Sequence, residues 1–136
     1  MIHSKAKSLS VLIKEADDIF SQFVRYRDMK DGRIKCFICG ASLRFSEAQN
    51  MHYIDRDQMA TRYDEINCNA GCESCNCFDP THEDKYRESM FLAYGPDQLY
   101  ELDHRARSLQ KFMRCDLEEM ILHYKEKVTQ LKKEKL

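Results

Sequence analysis

Between Leu9 and Val24 the apolar residues Leu9, Leu12, Ile13, Ala16, Ile19, Phe20, Phe23 and Val24 return every three or four positions, with polar residues between them. That spacing predicts an amphipathic helix over residues 8–29, ended by the turn-forming run Lys30-Asp31-Gly32. The period then shortens: Arg33 to Phe45 reads as two short strands about a tight turn at Cys36–Cys39, with Gly40 relieving the backbone where the turn closes. Residues 46–71 hold no sustained helical period and are rich in polar and turn-compatible residues, so loop and short strand are expected. Pro80 breaks the chain, and Thr81 with Asp84 has the spacing of a capping box for a helix from about His82 to Tyr94. Gly95 and Pro96 supply a stop and a fresh start, with a second helix from near Asp97 and a third running to the C-terminus. In that last helix Met113, Leu117, Met120, Ile121, Tyr124, Val128 and Leu131 form a narrow apolar stripe. The stripe resembles a coiled-coil seam and serves either a dimer contact or packing onto its own domain.

The fold class is therefore α+β, with residues 1–31 an N-terminal helix, 32–94 a small core carrying the cysteine pairs, and 95–136 a C-terminal helical region open to dimerisation or to contact with a partner. A chain of 136 residues fits one domain with appended helices. It has no apolar run long enough to cross a bilayer, and its first residues lack a signal-peptide core, so a cytoplasmic protein with no membrane partner is expected. In a reducing compartment its seven cysteines are metal ligands or plain thiols before they are disulfides.

Charge is segregated behind a net value of −1. From Arg25 to Arg44 six basic residues face Asp28 and Asp31; from Phe45 to His104 four basic residues face thirteen acidic ones; from His123 to Leu136 five lysines face two glutamates. The pattern is either ordinary surface charge or a basic flank beside an acidic, metal-loaded centre.

Cys36-x-x-Cys39 and Cys72-x-x-Cys75 are two knuckle pairs thirty-two residues apart. Four thiolates in two such pairs give the closed tetrahedral shell of structural zinc, which stabilises and does not catalyse. Cys68 and Cys77 are alternative ligands by composition, but CxxC is the spacing that wraps one ion without strain. A redox dithiol needs one pair only, and a thiol sensor at Cys68 or Cys77 is a minor third reading.

The order CxxC, then His52, then Asn67-x4-Cys72-x2-Cys75-Asn76 resembles that of zinc-braced HNH, or His-Me finger, endonucleases. More narrowly, "KEADDIFSQFVRYRD", "HYIDRDQMATRYDEINCNAGCESCN" and "YRESMFLAYG" are similar to the phage NinG (Rap) recombination proteins, across most of residues 14–95. The resemblance implies a treble-clef-like ββα-metal core and a metal-dependent endonuclease acting on branched DNA in a bacterial host. In that frame His52 activates water, Asn67 orients its imidazole through a hydrogen bond, and Asn76 is an oxygen ligand to a catalytic Mg²⁺ or Mn²⁺ ion. Met51 departs from the broader pattern, which often has an Asp or His metal ligand before the histidine. A further ligand is then sought among His82, Asp79 and Asp55, with His82 favoured.

Arg56 and Arg62 flank the histidine and either hold phosphates or pair with nearby aspartates. Arg33 and Lys35 belong to the basic flank expected to meet DNA. Asn67 and Asn76 have a plainer role as turn-capping residues. Two cuts across a junction call for a homodimer. The contrasting reading is a zinc-braced module that binds nucleic acid or protein without cutting, for which Met51 would mark the loss of activity.

Overall fold

The computed structural model describes residues 6–136. Helix α1 spans Leu9–Asp28 and is capped by Ser8, whose hydroxyl accepts from the Val11 amide. Of the apolar face expected from the periodicity, Leu12, Ala16, Ile19, Phe20, Phe23 and Val24 are buried and Ile13 half-buried, while Leu9 in the first turn is exposed. The run after it is more than a stop signal. Met29–Lys30 forms β1 and pairs antiparallel with β2, Arg33–Lys35, across Asp31 and Gly32 at φ 52° and 76°. Two successive left-handed residues are what a two-residue hairpin demands, and Asp-Gly supplies them. Strand β3, Ser42–Leu43, completes this sheet beyond the cysteine turn, where Gly40 sits at φ 77°.

A second sheet pairs β4, Gln49–His52, with β5, Cys68–Gly71, setting Met51 opposite Asn69 and His52 opposite Cys68. One π-helical turn, Ser74–Phe78, leads towards α2, His82–Ala106, which breaks at Gly95 (φ 79°, ψ 169°) as the Gly-Pro step predicts. The expected capping box is absent, since Thr81 makes no side-chain cap. Asp79 acts one turn earlier: its Oδ1 accepts from the Thr81 amide and hydroxyl at 2.8 and 2.6 Å. An Asx-type turn has displaced the cap.

Helix α3, Arg114–Lys135, lies along α1 and buries Leu117, Ile121, Tyr124 and Val128. Tyr124 inserts its ring 4.9 and 4.8 Å from those of Phe20 and Phe23, while its hydroxyl donates to Glu65 at 3.0 Å. The apolar stripe thus packs within its own chain, and a dimer through the same stripe would require α3 to leave α1. Met113 stands outside it, 68 % exposed at the helix start. One continuous buried cluster joins α1, α3 and both sheets. No described helix is long and apolar enough to cross a membrane.

Truncating Leu117 to Ala is expected to cost about 2–5 kcal/mol in urea unfolding, whereas Met113→Ala should stay within about 0.5 kcal/mol. Equal effects would contradict this placement of α3.

Candidate functional site

Two centres share the β4–β5 sheet. The first is the cysteine cluster: the Sγ atoms of Cys36, Cys39, Cys72 and Cys75 all lie within 4.8 Å of one another, with Cys39 and Cys72 at 3.8 Å. A tetrahedron with metal–sulfur bonds of about 2.3 Å has edges of about 3.8 Å. The four residues therefore fit a soft divalent ion such as Zn²⁺. The Phe37 amide donates to the Ala70 carbonyl at 2.9 Å, tying the first knuckle to the strand that leads into the second. The Cys75 amide points at Cys72 Sγ, 3.4 Å away. Burial pushes the Cys75 thiol up; at Cys36 burial also opposes ionisation, but the amides of Cys39, Cys72 and Ile38 outweigh it and bring the thiol down to about 7. Cys68 and Cys77 lie outside the cluster, the former buried with its thiol 3.5 Å from the Arg62 carbonyl, the latter exposed.

The second centre is built by alternation along β4. Successive side chains of a strand point to opposite faces, so Asn50 and His52 share one face and Met51 takes the other. Met51 is fully buried, and a Cβ on Gly71 would fall 2.3 Å from its Sδ and Cε. The residue before His52 therefore belongs to the core. Asn50, His52 and Arg56 line two adjoining cavities of about 330 and 410 Å³. The first opens towards Asp17, Ser21 and Arg25 of α1, the second towards Asp55, Asn76 and His82.

His52 Nε2 lies 3.0 Å from the Arg62 carbonyl. A carbonyl only accepts, so Nε2 carries the ring proton and Nδ1 keeps its lone pair. Burial is the main force holding the imidazole below its ordinary pKa of 6.5, the charges of Arg62 and Arg56 add to it, and the Arg62 carbonyl and Asp17 oppose it. The result is a neutral base at neutral pH.

The role expected of Asn67 needs correction. Its amide does not reach His52; it accepts from the Ile54 amide at 2.7 Å and donates to the carbonyls of Ile54 and Thr61, each at 3.0 Å. A fully buried side chain with one acceptor and two donors is fitted to a loop's backbone groups, and here it pins the loop that presents the Arg62 carbonyl. Arg62, expected either to hold phosphate or to pair with a nearby aspartate, pairs instead with a distant one. Its guanidinium forks onto Asp17 at 2.8 and 2.6 Å and donates to the Arg56 carbonyl at 2.9 Å, leaving it committed within the fold. Arg56 is exposed at the junction of the two cavities and, among the described residues, has no ion pair. Arg33 and Lys35 line neither cavity; they stand on the outer face of β2.

Among the described residues three buried side-chain polar atoms lack a partner, and two of them, Asn50 Oδ1 and His82 Nδ1, belong to residues that line the cavity beside His52. Each such atom costs about 1–3 kcal/mol unless something binds it. Asn76 donates its amide to Gln49 Oε1 at 2.8 Å, which leaves Oδ1 as its remaining acceptor. Asp55 borders the same cavity, whereas Asp79 does not, its carboxylate held by Thr81 and Lys85. Asn50 was missed by motif reading, although the period of two along β4 marks it as the neighbour of His52 on that face.

A family model described as Bacteriophage Lambda NinG protein matches residues 2–134. No curated protein and no solved structure matches the chain.

Metal analysis of the purified chain is expected to find one zinc per molecule, lost in Cys72→Ser and kept in Cys68→Ser and Cys77→Ser; loss in either of the latter would reassign the shell. Asn67→Ala should destabilise the fold by about 1–3 kcal/mol for each backbone group left unpaired, read in denaturant titration. An unchanged midpoint would return Asn67 to a role outside the loop.

Proposed function

The chain belongs to the bacteriophage lambda NinG protein family, and on that premise we propose a metal-dependent endonuclease that hydrolyses branched DNA, such as junctions formed in recombination. The observation that carries this reading is a half-buried neutral imidazole, His52, whose Nδ1 has no hydrogen-bond partner among the described residues, beside unpartnered side-chain polar atoms on Asn50 and His82. Water hydrogen-bonded to Nδ1 gives up its proton as its oxygen attacks the phosphorus. The bond to the 3′ oxygen breaks, leaving a 5′ phosphate. Asn50, Asn76 and His82 would hold a divalent cation, Mg²⁺ or Mn²⁺, which supplies neutralisation of the phosphate and the leaving oxygen. Arg56 presents a planar fork to the entering phosphate. Asn67 positions the base at one remove, through the loop that carries the Arg62 carbonyl.

Zinc on the four cysteines has a separate task, fixing the chain immediately before Asn76. The competing reading, a zinc-braced binding module without activity, drew on Met51; a residue on the core face of β4 bears on packing and not on ligation. Paired cuts across a junction favour a homodimer, built on a surface other than the α3 stripe. Such a DNA-processing role belongs in the cytoplasm of a phage-infected or lysogenic bacterium.

The test is cleavage of end-labelled four-way junction, flap, single-stranded and duplex DNA by zinc-loaded protein with Mg²⁺, Mn²⁺ or EDTA. Metal-dependent cutting of branched substrates should fall by about 10²–10⁴ in His52→Ala. Since the folded pKa of His52 lies below 6.5, the base stays available until the pH falls through that lowered value, and the acid limb should have its midpoint under 6.5. The unfolded chain takes up the proton first as pH drops, so stability is also lost on the acid side. Binding without cutting under every metal would overturn the proposal.

A further inference from the structure

The outer face of the three-stranded sheet remains unused by this chemistry. In its register Lys30 lies opposite Arg33, while Arg33 and Lys35 flank the buried Ile34 and therefore share the outward face. Like charges set directly opposite one another in a sheet repel. Among the described residues none of the three has an ion-pair partner; Arg33 directs its donors to the Ser42 hydroxyl and carbonyl at 3.0 and 3.1 Å. The end of α3 is drawn to the same edge. Lys135 Nζ donates to the carbonyls of Arg27 and Met29, both at 2.7 Å, and Lys132 and Lys133 are exposed in that last turn. A helix dipole accounts for cations at a C-terminus. It does not account for three cations aligned on a sheet. The nearby acids are Asp31 in the hairpin turn, Glu134 on α3, and Glu47, which is held by Arg44 at 3.0 Å.

We propose that this face, Lys30, Arg33 and Lys35 with the lysines ending α3, is a second DNA-contact surface that grips the phosphate backbone of a duplex arm away from the site of cutting. It rests on the nucleic-acid reading above, extended to a surface outside both cavities around His52. Phosphates relieve the repulsion that the register builds in. The outward residues Lys30, Arg33, Lys35 and Ser42 include no aromatic side chain on which a single-stranded base would stack, and no apolar side chain to enter a lipid surface. Duplex backbone is the partner that remains.

The experiment measures binding of the full zinc-loaded chain to an unbranched 25-base-pair duplex by fluorescence anisotropy across a salt series. Each phosphate contact contributes a slope of about −0.9 in log K against log salt, so replacing Lys30, Arg33 and Lys35 together by Gln should reduce the slope by about 2–3. A control carrying Lys14→Gln and Lys111→Gln should leave it unchanged. Zinc content and melting temperature report folding, and Lys30→Gln alone, with a change of about 0.9, serves if the triple variant fails to fold. An unchanged slope, an equal loss in the control, or binding by this face to anionic vesicles but not to duplex would overturn the assignment. Junction cutting in parallel separates the two proposals. Cutting with an unaltered slope would remove the arm contact alone, whereas a reduced slope in a protein that never cuts would keep it and remove the nuclease.

Discussion

Arg62 is held at both ends, and the cavity takes its form from that. Its guanidinium forks onto Asp17 of α1, while its carbonyl lies 3.0 Å from His52 Nε2 and 3.5 Å from the Cys68 thiol. One residue thus links the first helix to both strands of the second sheet. Asn67 secures the loop from inside through Ile54 and Thr61. Tyr63, next in sequence, donates its hydroxyl to the same Asp17 at 2.9 Å. With the carbonyl so fixed, the proton on His52 is fixed too, and the nitrogen left bare follows from the tautomer.

Alternation along β4 divides the labour of the chain. Its inward side chain, Met51, closes the core over Gly71, and its outward ones, Asn50 and His52, open onto the cavities. A cation ligand at Met51 would have to leave the core to reach His52. Two of the four clustered cysteines, Cys72 and Cys75, follow β5 directly, so the sulfur cluster and the cavity share one two-stranded frame, the first lined by sulfur and the second by residues with unpartnered nitrogen and oxygen. Soft and hard donors are thereby kept in separate places.

Much of this was legible in the sequence, and the misses share a cause. Helical periodicity located α1 and the buried stripe of α3, and CxxC spacing chose the four clustered thiols over Cys68 and Cys77. His52, Asn76 and His82, separated by up to thirty residues, line a common cavity. What escaped was set by contacts between distant segments. No local pattern tells Arg62 from Arg56, yet Asp17, forty-five residues away, takes the first and leaves the second at the cavity mouth. The partners of Asn67 were not legible, because an amide fits loop backbone and imidazole equally well. Thr81 has the sequence of a cap, and Asp79 reached its hydroxyl first.

The cation site proposed beside His52 draws on Asn50 and His82 and is distinct from the sulfur cluster. Electron paramagnetic resonance of Mn²⁺ added to the zinc-loaded chain tests it without recourse to cleavage. One bound Mn²⁺ per chain is expected, with affinity lost in Asn50→Ala and in His82→Ala while zinc content stays at one. Manganese binding indifferent to both substitutions, or no binding by the wild type, would contradict it.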